Sequence, residues 1–191
     1  MERIGLYGGS FDPVHLGHLL VAQAAREELQ LHKIFFIPVA QSPFKPDAKP
    51  TPAAERLKML RLALVGNSHA EVDEQEIKRG GVSYTIDTAQ DYTRRFPNAK
   101  LFYLIGADHV LQLPKWREAD KLAKLVEFLV IPRPGEFRMQ IPTPFRGAFL
   151  TGFPLDVSSS QIRARVKAGL SIENLVPATV AEVIRNNRLY L

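Results

Sequence analysis

Apolar residues recur along the chain in two alternating rhythms. Short continuous runs, Ile4 to Tyr7, KIFFIP at 33–38, KLFYLI at 100–105 and residues 128–131, read as buried strands. Residues 148–151 read as a further strand and 71–78 as a weaker strand or loop. Between them lie helical patterns. Leu19, Leu20, Ala24 and Leu31 share a face in 16–31, with Glu27 and Glu28 outside. Thr51 as N-cap and Pro52 in the first turn predict a helix to about Leu64, and Ser83 or Thr85 predicts one to about Arg95. Further helices are predicted over 116–125, 159–168 after a Ser158 cap, and 177–187. Residues 38–52 carry five prolines in 15 and read as a loop.

Strands alternating with helices of this length imply βαβ units. The fold expected is a Rossmann-like, doubly wound α/β domain with a mostly parallel sheet and helices on both faces. It forms one domain over 1–191, with a C-terminal helical part from about 158 packed on it. Ligands of such sheets sit at the carboxyl ends of the strands. That rule selects 8–18, 38–45, 106–108, 132–133 and 156–163.

The chain has no cysteine, which removes disulfides, thiolate metal sites and thiol nucleophiles together. Apolar residues at 46% and charged residues at 24% are ordinary globular usage. No apolar run is long enough to span a bilayer and the N-terminus lacks a signal-type apolar core, so a cytoplasmic protein with no membrane partner is expected. The net charge of +5 suits an anionic ligand. Residues 133–167 hold six basic residues against two acidic ones.

The strongest segment is Gly8-Gly9-Ser10-Phe11-Asp12-Pro13-Val14-His15-Leu16-Gly17-His18. It leaves the first strand and opens the first helix. The glycines are expected to let a ligand approach the backbone, and the free N–H groups of the helix start suit phosphate. His15 and His18, three apart, share one helix face and can donate to phosphoryl oxygens. A metal pair with Asp12 is the competing reading, but no third strong ligand stands nearby. The second segment is Ser158-Ser159-Ser160-Gln161-Ile162-Arg163. Ser158 and Gln161 have capping-box spacing, three hydroxyls stand beside unsatisfied N–H groups, and Arg163 one turn later can clamp a phosphate. The other reading is a well-capped surface helix.

Together the two strings resemble the nucleotidyltransferases with an HxGH motif. Ser42-Pro43-Phe44-Lys45, Ser83 to Thr88, Gly106-Ala107-Asp108, Leu113 to Trp116 and Arg133-Pro134-Gly135 bring the resemblance closest to the bacterial nicotinate-nucleotide adenylyltransferases. Phe44 stands where that family often has histidine, and Ser160 where it usually has threonine.

The resemblance implies the reaction ATP + nicotinate mononucleotide → deamido-NAD + pyrophosphate, with Mg²⁺ carried by ATP. It makes His15, His18, Lys45 and Arg163 the catalytic set. It assigns ATP to Gly8, Gly9, Ser10, Phe11 and His18, to Gly106, Asp108 and Arg133, and to Ser158, Ser159 and Arg163. It assigns nicotinate mononucleotide to Lys45, Tyr84, Thr85, Asp108 and Trp116. The partners implied are these two small molecules and no nucleic acid, with homo-oligomerisation open. The alternatives are a sister enzyme acting on nicotinamide mononucleotide or pantetheine phosphate, and a non-enzymatic nucleotide- or nucleic-acid-binding protein. A tRNA-synthetase fragment lacks its K-M-S-K-S partner motif here.

Overall fold

A computed structural model describes residues 1–44, 49–132, 140–153 and 155–191. Its centre is a six-stranded parallel sheet in the order β3-β2-β1-β4-β5-β6. The strands are β1 (Arg3–Gly9), β2 (Lys33–Pro38), β3 (Ala70–Val72), β4 (Lys100–Gly106), β5 (Glu127–Ile131) and β6 (Gly147–Phe149). The helices are α1 (Leu16–Leu29), α2 (Ala53–Ala63), α3 (Gln75–Arg79), α4 (Thr85–Arg95), α5 (Ala119–Leu125), α6 (Ser159–Lys167) and α7 (Ala178–Asn186). A 3₁₀ helix runs from Ala107 to Lys115. This is the expected Rossmann-like arrangement, and the sheet is wholly parallel.

The central strands are apolar on both sides because both faces are covered. Successive side chains of β4 go opposite ways. Phe102 and Leu104 join the core formed with α1, α2, α6 and α7. Leu101, Tyr103 and Ile105 join the other, with α4, the 3₁₀ helix and α5. The strand order reverses between β1 and β4, so their carboxyl ends flank the crevice where such sheets bind nucleotides.

Several boundaries differ from expectation, each for a local reason. The first helix stops at Leu29 because Gln30 takes a left-handed conformation (φ 51°) and its N–H turns back to Arg26. Pro52, not Thr51, is the N-cap of α2; its carbonyl accepts from Glu55 and Arg56 N–H. Residues 71–78 divide into the end of β3 and most of α3. Trp116 does not begin a helix: it follows the 3₁₀ helix in an extended conformation, and α5 starts three residues later, after Glu118 at φ 51°.

Candidate functional site

The carboxyl end of β1 carries the first part of the site. Phe11 is left-handed (φ 47°), and its ring, almost fully buried, meets Tyr7 edge-on at 5.5 Å and His18 at 5.0 Å. The His15 and His18 rings lie nearly face to face, 3.7 Å between centroids at 31°. The His15 N–H donates to His18 Nδ1 at 3.2 Å. In neutral His18 that acceptor role leaves the proton on Nε2, so the ring presents an N–H donor at its other end. Burial lowers the His15 pKa to about 4. Burial, and then the charge His15 would carry, hold His18 well below the usual imidazole value. Both rings are therefore neutral at pH 7. His15 Nδ1 is buried without a hydrogen-bond partner among the described residues.

Gly17, between the two histidines, is set by packing. A Cβ there would lie 2.9 Å from Val157 Cγ1 and 3.0 Å from the His15 ring. At Gly8 and Gly9, expected to let a ligand approach the backbone, side-chain packing also requires glycine. The Cβ directions are filled by the Tyr103 hydroxyl at Gly8 and by the Phe11 ring at Gly9. These glycines admit protein side chains.

The second part is the start of α6, and it reaches the same turn. Ser158 caps the helix: its Oγ accepts from Gln161 N–H at 3.2 Å, and its own N–H donates to Gln161 Oε1 at 2.7 Å. Ser159 Oγ donates to the Pro13 carbonyl at 2.9 Å. Arg163 Nη1 donates to the Asp12 carbonyl at 2.7 Å and Nη2 to Ser160 Oγ at 3.3 Å. Two helix N-termini and one guanidinium thus converge on residues 12–15.

The third part lies across the switch point. Tyr103, beside Gly8, hydrogen-bonds the Thr85 side chain at the start of α4. Tyr84, the N-cap of that helix, makes no side-chain cap hydrogen bond. Ser83 fixes the segment, since its Oγ accepts from Ala40 N–H at 3.0 Å and its N–H donates to the Gln41 carbonyl at 2.9 Å. The Tyr84 ring lies under the Arg117 guanidinium at 4.6 Å. Gly106 ends β4, and the exposed Asp108 lies in the first turn of the 3₁₀ helix. Trp116 is half-buried, with Phe44 at 5.7 Å and His109 at 6.1 Å. Phe44 thus joins an aromatic group where the family often has histidine. Lys45 and Arg133 lie outside the described residues.

Sequence reasoning missed the supports: Arg56, Glu76, Tyr103 and Tyr190. Arg56 is 2% exposed and holds the turn after β1 through Ser10 O at 2.8 Å and Thr51 O at 3.0 Å. Glu76, buried behind α4, accepts from Thr88 Oγ1 at 2.5 Å, and burial raises its carboxyl pKa. Only Tyr103 left a signal, a phenol inside an otherwise apolar strand whose hydroxyl needs a partner.

A parallel sheet with phosphate-type sites at its switch point defines a nucleotide-binding α/β protein, and comparison with known proteins narrows the class. The profile of the family described as Cytidylyltransferase-like matches residues 6–165. The chain is 41% identical to the "Probable nicotinate-nucleotide adenylyltransferase" of Opitutus terrae over 98% of this chain and 97% of that one. It is 43% identical to the protein of the same name from Exiguobacterium sibiricum, over 98% of each. Among solved structures, the Plasmodium falciparum nicotinic acid mononucleotide adenylyltransferase complexed with NaAD superposes with a TM-score of 0.79 at 20% identity, covering 100% of this chain and 98% of that one. The chain belongs to the cytidylyltransferase-like family, and within it to the group of the nicotinate-nucleotide adenylyltransferases.

Proposed function

We infer that this protein transfers the adenylyl group of ATP to nicotinate mononucleotide, giving deamido-NAD and pyrophosphate. The observation that carries the reading is the neutral, face-to-face histidine pair on the turn that α6 also grips, in a chain of this family. A phosphate oxygen of the mononucleotide attacks the α-phosphorus of ATP, and the bond from that phosphorus to the bridging oxygen of the β-phosphate breaks. A phosphate monoester has a second pKa near ~6, so the nucleophile is already largely dianionic and needs no strong base. The obstacle is charge repulsion, met by positioning and by donors aimed at the phosphates.

Neutral His18 supplies its Nε2–H and His15 its adjacent ring. The N-termini of α1 and α6, with Ser158, Ser159 and Arg163, receive the β- and γ-phosphates. Gly8 to Phe11 supply backbone contacts, Gly106 and Asp108 flank the ribose, and Lys45 and Arg133 add charge. Mg²⁺ enters on ATP.

The mononucleotide's pyridine ring lies against Trp116, and its carboxylate meets the start of α4 at Tyr84 and Thr85. The absence of a side-chain cap hydrogen bond from Tyr84 supports an anion at that helix end. An amide would set N–H₂ donors against N–H donors. The test is pyrophosphate release from ATP with nicotinate mononucleotide, nicotinamide mononucleotide and pantetheine phosphate in parallel. The acid is expected to exceed the amide in kcat/KM by at least roughly 10²-fold. Equal values for acid and amide would refute the carboxylate assignment. No release with the acid would refute the reading itself.

A further inference from the structure

The penultimate residue of the chain reaches the turn after β1. Asp12, 7% exposed between β1 and α1, uses its two carboxylate oxygens separately. Oδ1 accepts from the Tyr190 hydroxyl at 2.7 Å, and Oδ2 from Thr51 N–H at 3.1 Å. The carbonyl of the same residue holds Arg163 Nη1. One residue therefore carries a buried anion on its side chain and a phosphate-clamping cation on its backbone. Tyr190 also hydrogen-bonds the Thr51 side chain, and its hydroxyl lies within the electrostatic reach of Arg163.

The route of the tail to this contact is not the relaxed one. Arg188 (φ 50°) and Tyr190 (φ 67°) are both non-glycine residues in the left-handed region. The turn is closed by Leu189 N–H on the Ile184 carbonyl at 3.0 Å, and such conformations persist where surrounding contacts over-determine them. Burial raises the Tyr190 phenol well above its ordinary value, so it remains a donor at any working pH.

We propose that Tyr190 is a positioning residue for the ATP phosphates: its hydroxyl satisfies Asp12, so that Arg163 stays on the Asp12 carbonyl, aimed at the phosphates. This rests on the adenylyl-transfer reading above. With Oδ1 left unpaired, Arg163, already on the carbonyl of the same residue, can swing to the carboxylate, and a guanidinium paired with Asp12 is lost to the nucleotide.

Tyr190→Phe removes only the hydroxyl. The KM for ATP is expected to rise about tenfold, the KM for nicotinate mononucleotide to stay within about twofold and kcat within about threefold. The Kd of a non-hydrolysable ATP analogue, measured by calorimetry, should rise by the same factor. Asn187→Ala is the control for a loosened tail. It breaks the 2.7 Å bond to Glu55 on α2 without touching Asp12, and should lower the melting temperature while leaving the ATP KM unchanged. A wild-type KM and Kd in Tyr190→Phe would overturn the proposal, as would an equal rise in Asn187→Ala. A wild-type protein that binds the analogue but fails to turn over the mononucleotide would refute the parent reading, while the analogue Kd values still decide the role of Tyr190.

Discussion

Arg56 offers a direct test of how the turn after β1 is held. It is among the largest fully buried side chains of the protein, placed by the inner face of α2 beneath the loop of residues 10–13. Its Nε and Nη1 hold Thr51 O and Ser10 O, and burial, which lowers its pKa, is opposed by the charge of Asp12. Arg56→Met keeps much of the volume but removes both charge-assisted bonds and leaves the Thr51 and Ser10 carbonyls without that donor. Losing two hydrogen bonds from a charged donor costs about 3–5 kcal/mol. For a chain of this size that lowers the melting temperature by about 10 °C. Urea unfolding at pH 7.5 measures it. The double variant Arg56→Met/Asp12→Asn removes both charges, and should be less destabilised than the sum of its parts by about 1–3 kcal/mol. A cost below about 1 kcal/mol for Arg56→Met, or strict additivity in the double variant, would refute the claim that Arg56 braces the turn and is coupled to the charge of Asp12.

Two further outcomes follow from the packing. Folded His15 resists protonation until about pH 4, whereas the unfolded chain protonates near 6.5, so the stability supplied by the neutral ring is full above pH 6.5 and is lost as pH falls towards 4. Urea titrations should show a loss of up to about 3 kcal/mol across that window, much reduced in His15→Asn; an unchanged pH profile in that variant would contradict the assignment. Gly8→Ala should cost about 1–3 kcal/mol because its Cβ meets the Tyr103 hydroxyl, and Tyr103→Phe in the same chain should restore much of it; failure of that rescue would place the strain elsewhere.

What could be read from the sequence divides along physical lines. KIFFIP and KLFYLI became β2 and β4 almost to the residue, because a strand covered on both faces is a continuous apolar run and needs no partner to be recognised. The Ser158–Gln161 box was equally legible, being a local exchange of hydrogen bonds within four residues. Trp116 was misplaced because it follows a 3₁₀ segment containing Pro114, whose spacing mimics neither period. Arg56 lies in the helix expected to about Leu64, and nothing in that pattern singles it out. Its burial depends on a carbonyl 46 residues away in sequence, which no local pattern records. Tyr190 and Asp12 are separated by 178 residues, and only the folded chain pairs them. The string around His15 and His18 was legible as a candidate site, while the packing of Tyr103, Phe11 and Val157 against Gly8, Gly9 and Gly17 was not.

The central claim is that the neutral histidine pair stabilises the charge of adenylyl transfer, and the most direct measurement is the kcat of His18→Ala beside its own unfolding transition. His18 is half-buried against Phe11 and Tyr7, so the variant should unfold cooperatively at a modestly lower temperature and remain folded under assay. Loss of one preorganised donor typically lowers kcat by about 10²–10³, and that is the fall expected in pyrophosphate release from ATP and nicotinate mononucleotide. A folded variant turning over within about threefold of the wild type would contradict the account.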